Sequence, residues 1–301
     1  MSSRGAAFVS LLLVTCFFAG ECSNAGDRER EAYVTLVTTP NYIIGAEVLA
    51  KCLRHVGATR YLVALVGPLL DMNDEQRLKA AGLITRRVED IQIFEIVELL
   101  DRPYFNTTFN KLHVFGLFDE YDKVVFLDAD VLVLKNIDEL FDVDISTGYP
   151  FAAAPEIMPP DRFNTGVLVV APSKEGLLNE FYPHWFSQDS SHRLPFIYNT
   201  LQTVASYYSP AWEMLKEDIK VLHFAGDDLM KPWSFEGSLP PSLGVFLFLW
   251  QSIARRVSLW QVRAENLLSR TPAGGDIGLH FKVLNVTDPE EVNALFRNRI
   301  I

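Results

Sequence analysis

Residues 123–127, Lys-Val-Val-Phe-Leu, run without a break into Asp128-Ala129-Asp130, and the chain then turns apolar again through Val131-Leu132-Val133-Leu134. A short apolar run with no polar alternation reads as a strand covered on both faces, the signature of a parallel sheet with helices on either side. Two acids two positions apart on extended chain point to the same face. Set between buried segments, their carboxylates would repel each other and lose hydration unless a cation compensates them. Hard oxygen ligands of this kind suit Mg2+ or Mn2+, ions that also take phosphate oxygens. Taken alone, an Asp-x-Asp is also the sequence of a solvated turn; the flanking apolar segments favour the ligand reading.

The surrounding pattern predicts an α/β chain. Residues 33–37 read as a first strand, followed by the turn and helix-start signal Thr38-Thr39-Pro40-Asn41. Ile43, Ala46, Leu49, Ala50 and Leu53 recur at helical spacing up to Gly57, and residues 61–66 form a second apolar strand closed by Gly67-Pro68. Helices are expected over 74–81 and 110–118, and short strands over 151–154, 167–170 and 220–224. Alternating strands and helices predict a mostly parallel central sheet flanked by helices. Ligands of such sheets sit beyond the carboxyl ends of the strands, where Thr38-Thr39 and Asp128 to Asp130 both fall. Residues 230–241 are rich in Pro, Gly and Ser and read as a boundary; residues 245–268 have helical character. That last segment packs as an ordinary capping helix or docks on a membrane surface, and Arg255-Arg256 interrupts it before it could span one.

The opening residues read as a separate unit. Arg4 precedes an apolar run over 6–19, and Ser23-Asn24-Ala25 follows, the pattern of a cleaved signal peptide over 1–25. This predicts a secretory-pathway or secreted protein, as do the glycosylation triplets at Asn106 and Asn285. Cys16 and Cys22 would leave with the leader, so Cys52 would remain as a core thiol without a disulfide partner. The net charge of −11 argues against nucleic acid as a partner. It also means that an anionic ligand such as a phosphate needs local Lys, Arg or metal to bind.

Val125-Phe126-Leu127-Asp128-Ala129-Asp130, with Val133-Leu134 and Asn136-Ile137-Asp138-Glu139-Leu140-Phe141, resembles the metal-binding segment of glycogenin-like family 8 glycosyltransferases. Other resemblances follow in order: Val34-Thr35-Leu36 with Tyr42 and Gly45, Arg102-Pro103, Lys111-Leu112-His113, Phe163-Asn164-Thr165-Gly166-Val167, Leu194-Pro195-Phe196-Ile197-Tyr198-Asn199, and His223-Phe224-Ala225-Gly226 with Lys231-Pro232-Trp233. Together they cover about residues 32–234. The resemblance implies a GT-A fold over 26–234, with 235–301 as a helical extension. It implies a UDP-sugar donor, UDP-glucose or UDP-glucuronate, and transfer with retained configuration to a glycan, protein or lipid acceptor. It leaves a homodimer open.

Carried over residue by residue, the resemblance makes Asp128, Asp130 and His223 ligands of Mn2+ or Mg2+, with Ala129 between the two acids. Arg102 and Lys231 would meet the diphosphate beside Gly226, and Lys111 would hold the donor sugar or nucleotide. Leu36, Thr38, Thr39 and Tyr42 would surround uridine, and Asn164 would face the donor sugar or the acceptor. Otherwise these are surface charges, a strand end, a helix cap and a turn residue.

Three departures stand out. The family carries an Asp-Gln-Gly before a Leu-Asn pair; here Ala171-Pro172-Ser173-Lys174-Glu175 runs straight into Gly176-Leu177-Leu178-Asn179. Because the resemblance puts that Asp near the reacting sugar carbon, its loss implies a weak or inactive product. The interval from His223 to Lys231 is longer than in glycogenin, with Asp227 and Asp228 in the excess, where they either oppose phosphate or face solvent. Ser206 stands where glycogenin has its self-glucosylated Tyr, with Tyr207 beside it, and a leader argues against cytosolic glycogen priming.

Overall fold

The computed structural model describes residues 30–91, 109–145, 151–156, 162–173, 190–235 and 241–256. The leader, Arg102, the triplets at Asn106 and Asn285, and the junction at residues 174–179 lie outside the described residues.

The strands in chain order are β1 (Glu31–Val37), β2 (Tyr61–Val66), β3 (Ile84–Arg87), β4 (Lys123–Leu127), β5 (Val131–Val133), β6 (Phe151–Pro155), β7 (Phe163–Val170), β8 (Thr200–Leu201) and β9 (Val221–His223). They form a six-stranded sheet, β3-β2-β1-β4-β7-β6, and a small sheet, β5-β9-β8. β3, β2, β1 and β4 run parallel, whereas β7 is antiparallel to both β4 and β6.

β4 lies inside the sheet because Val124, Val125, Phe126 and Leu127 have no exposed surface. Burying each contributes about 1.5–3 kcal/mol. Their alternation divides the core. Val125 and Leu127 join the cluster containing Tyr33, Val37 and helix α1 (Ile43–His55). Val124 and Phe126 join the cluster on the other face, with Val114, Phe115 and Leu117. The expected layered α/β architecture, mostly parallel with helices on both faces, is the observed one.

The helix expected over 74–81 is α2 (Met72–Ala80), fixed by a reciprocal capping box between Asp71 and Asp74. The segment expected as a helix over 110–118 is helical but wound as a 3₁₀ stretch, Phe109–Asp119. Buried Asn110 anchors it, accepting from Ile91 N at 2.8 Å and donating to Asp90 at 2.8 Å. α3 (Val204–Tyr207) and α4 (Ser209–Leu215) precede β9. α5 (Pro241–Arg256) buries Leu243, Trp250, Ile253 and Ala254 in the cluster that contains α1. Trp250 meets Trp233 at 5.8 Å, and Phe246 meets Trp212 edge-on at 5.6 Å. Over its described residues α5 packs on the core, and among the described residues no helix is long and apolar enough to cross a membrane.

Asp138 ties the amino ends of β1 and β2 together. Its carboxylate accepts from Tyr33 Oη (2.6 Å), Thr59 N (3.0 Å) and Thr59 Oγ1 (2.7 Å), and lies 3.2 Å from Arg60. Burial opposes ionisation, but these hydrogen bonds and the Arg60 charge outweigh it and hold the carboxyl below its usual range. The stabilisation is therefore present above the unfolded-state value and is lost as pH falls through the folded one. Urea unfolding at pH 7 should show Asp138→Ala destabilised by about 2–4 kcal/mol, and the gap from wild type should narrow at pH 3.

Candidate metal and nucleotide site

The two acids leave β4 at its carboxyl end. Asp128 N donates to Gly166 O on β7 (2.9 Å), and Phe224 N donates to Asp130 O (3.1 Å). Beyond them β5 pairs antiparallel with β9 in a register that sets Val131 opposite His223. That register brings a residue from far along the chain beside the acids. His223 Nε2 lies 3.4 Å from Asp130 Oδ1 and 3.7 Å from Asp128 Oδ2.

Two lysines complete the charge balance. Lys231 Nζ contacts Asp130 Oδ2 at 2.5 Å and donates to Phe224 O at 3.2 Å. Lys111 Nζ donates to Asp128 Oδ2 at 2.8 Å and to Thr165 Oγ1 at 3.0 Å, over the Phe126 ring. Asp130, His223 and Lys231 are each 4% exposed. Burial alone would raise the Asp130 carboxyl, but the charges and hydrogen bonds of His223 and Lys231 overcome it and hold that carboxyl far below the usual range.

One ligand atom from each of Asp128, Asp130 and His223 lies within 4.8 Å of the others. Two carboxylates and one imidazole form a donor set that fits Mn2+ or Mg2+, with His favouring the former. The residues present therefore fit a divalent cation.

α1 forms the neighbouring wall. A side chain at Gly45 would sit 2.3 Å from Ala129 O and 2.9 Å from the Trp233 ring, so the helix reaches the acids only through a glycine. Tyr42, just before α1, meets Trp233 edge-on at 5.0 Å and lies 5.9 Å from Lys231 Nζ. Burial, together with the charges of Asp130, Asp228 and Asp128, raises its phenol above the ordinary range. Leu36, Thr38 and Thr39 stand half-buried at the end of β1, and the Thr39 side chain makes no cap hydrogen bond.

The loop from His223 to Lys231 turns at Gly226, whose φ of 128° favours glycine. Of its two extra acids, one side chain is bonded within the loop. Asp227 caps the 3₁₀ turn Asp228–Met230 by accepting from Leu229 N at 3.1 Å, and Asp228 O accepts from Ser234 Oγ. Gln202 fastens both ends of the loop by donating to Ala225 O (3.0 Å) and, at longer range, to Met230 O (3.4 Å).

Thus Lys111, Asp128, Ala129, Asp130, His223 and Lys231 gather at one point, with Tyr42 alongside. Asn164 reaches the cluster only indirectly. Its Oδ1 accepts from Gly166 N (2.9 Å) and Asn199 Nδ2 (2.8 Å), and Asn199 in turn meets His223. Sequence reasoning gave no role to Thr165, Asn199, Gln202 or Glu156. Asn199 and Thr165 lay inside quoted motifs, which was the one signal available for them.

Residues 33–194, more than half of the chain, match the family model for glycosyl transferase family 8. Glycogenin-1 of Caenorhabditis elegans is 36% identical over 251 residues, covering 74% of this chain and 55% of that protein. Human glycogenin-2 is 35% identical over 275 residues, covering 79% and 51%. The chain therefore spans about half the length of these relatives. Among solved structures, the galactosyltransferase LgtC in complex with donor and acceptor sugar analogues superimposes with a TM-score of 0.53, covering 74% of this chain and 95% of that one at 17% identity. The fold is GT-A.

The relatives correct one expectation. The apolar start predicted a secretory-pathway or secreted protein, whereas glycogenins of animals and fungi figure among the relatives found, the class whose cytosolic priming role such a leader was set against. An apolar run records only a tendency to leave water, so it does not by itself specify a compartment. The ordered motifs, the GT-A sheet and the family match agree, and the chain belongs to glycosyl transferase family 8.

Proposed function

We propose that the chain moves a hexosyl group, glucose, from UDP-glucose to a glycan, protein or lipid acceptor with retained configuration, using Mn2+ or Mg2+ held by Asp128, Asp130 and His223. The observation that carries this reading is the convergence of those three ligand groups within 4.8 Å at the carboxyl end of β4. When bound, the cation supplies Lewis-acid stabilisation of the departing diphosphate.

The chain's own residues do the rest. Lys231, which contacts Asp130, would offer its ammonium to phosphate oxygens. Lys111 does the same from the Asp128 side, toward the donor sugar. Tyr42 would offer a ring to uridine, with Leu36, Thr38 and Thr39 at the end of β1, and Ala129 and Gly226 would adjoin the donor as in the family pattern. Arg102 adds diphosphate charge in the family pattern but lies outside the described residues. The domain spans residues 26–234 in this reading, followed by a helical extension.

A second reading has its own motivation. The absent Asp-Gln-Gly favours a protein that binds nucleotide-sugar without turning it over. UDP release from UDP-glucose and UDP-glucuronate with Mn2+ separates the two. The transferase reading expects UDP release that disappears on chelation and falls at least about 100-fold in Asp130→Asn. Binding of UDP and Mn2+ without release from any donor would leave only the second reading.

The buried charges make a further prediction. Lys231→Met strands the Asp130 carboxylate and should lower stability by about 3–5 kcal/mol in metal-free buffer. The double variant Lys231→Met/Asp130→Asn should recover much of that loss, as read by denaturant unfolding.

A further inference from the structure

Gly166 N–H can only donate, so the Asn164 atom facing it at 2.9 Å must be the amide oxygen. That orients Asn164 Nδ2 toward the Glu156 carboxylate, which can only accept when ionised, at 2.8 Å. Asn164 Oδ1 also faces Asn199 at 2.8 Å, so the Asn199 group there must be its NH2. The Asn199 oxygen is then left facing His223 Nδ1 at 3.0 Å, and Nδ1 must carry a proton to meet it. Asn199 has no exposed surface, so water cannot substitute for these partners. In its neutral form a ring so held presents its Nε2 lone pair to two carboxylate oxygens, at 3.4 and 3.7 Å. Two carboxylate oxygens and a ring nitrogen facing one point are a donor set that a divalent cation would satisfy.

We propose that Glu156, Asn164 and Asn199 form a relay that locks His223 with its proton on Nδ1 and its Nε2 turned to Asp128 and Asp130, so that these three are positioning residues for a divalent cation. The inference deepens the metal reading given above and rests on it for the cation. It gives Asn164 a role on the imidazole, exerted through Asn199, beside any contact with the sugar. It also accounts for the whole Asn164-Thr165-Gly166 tripeptide. Thr165 holds Lys111 against Asp128, and Gly166 leaves room for the ring, since a Cβ there would sit 2.4 Å from His223 Nδ1 and Cε1.

Long-range proton–nitrogen correlation on metal-free, histidine-labelled protein at alkaline pH reads the tautomer directly, with His223 assigned by its loss in His223→Gln. The relay predicts a protonated Nδ1 and a bare Nε2. Calorimetry with Mn2+ alone, without nucleotide, should show binding weakened about 10–100-fold in Asn199→Ala and in Asn164→Ala. Asn199→Asp keeps an acceptor for Nδ1 but loses the donor to Asn164 Oδ1, so it should restore the tautomer and only part of the affinity. A proton on Nε2 in the wild type overturns the relay, and this measurement needs no variant to fold. So does a folded Asn164→Ala or Asn199→Ala with unchanged Mn2+ affinity and tautomer, the result expected if Asn164 served only the donor sugar. A protonated Nδ1 in a wild type that binds no Mn2+ instead upholds the tautomer assignment and sinks the metal reading.

Discussion

Two carboxylates cannot share a water-poor pocket without positive charge close to them, and the elements around Asp128 and Asp130 all answer to that constraint. β4 is buried from Val124 to Leu127 and ends at the acids, so they cannot retreat into solvent without breaking the sheet. The small sheet brings His223 to them through its register with β5. Two lysines arrive from opposite directions in sequence, Lys111 from the 3₁₀ stretch and Lys231 from the loop after β9, each on its own acid. Such a balanced cluster costs stability relative to an apolar core, which is an argument for function at this point rather than for architecture.

The parts of the molecule legible in the sequence are those with enough residues to show a period. β1, β2, β4 and α1 are long and apolar, and each was expected within a residue or two of where it lies. β3 was missed because its Arg86 and Arg87 face outward, pairing with Glu120 and Glu75; charged side chains of this kind protect a sheet edge while hiding it from pattern reading. β8 spans two residues, too few for any alternation to register, whereas β9 falls inside the short strand expected over 220–224. The 3₁₀ stretch was read simply as a helix because apolar spacing of three residues fits both windings.

The site divides in the same way. Asp128 and Asp130 follow from a strand that ends in acids. His223 came from family resemblance alone, since nothing local distinguishes a cation ligand from a structural imidazole until the β5–β9 register is known. Lys111 and Lys231 look like surface charges in the sequence, yet Lys231 is 4% exposed. Asn199 and Glu156 were silent because their roles lie in which atom faces which neighbour, and that is a property of the assembled network.

The central claim is that one cation belongs between Asp128, Asp130 and His223. Diffraction at the manganese absorption edge from crystals grown with Mn2+ tests it most directly. The account predicts one anomalous peak bounded by the two carboxylates and His223 Nε2, with Lys231 displaced from Asp130. A map with no peak there, Lys111 and Lys231 still closed on the acids, would contradict it.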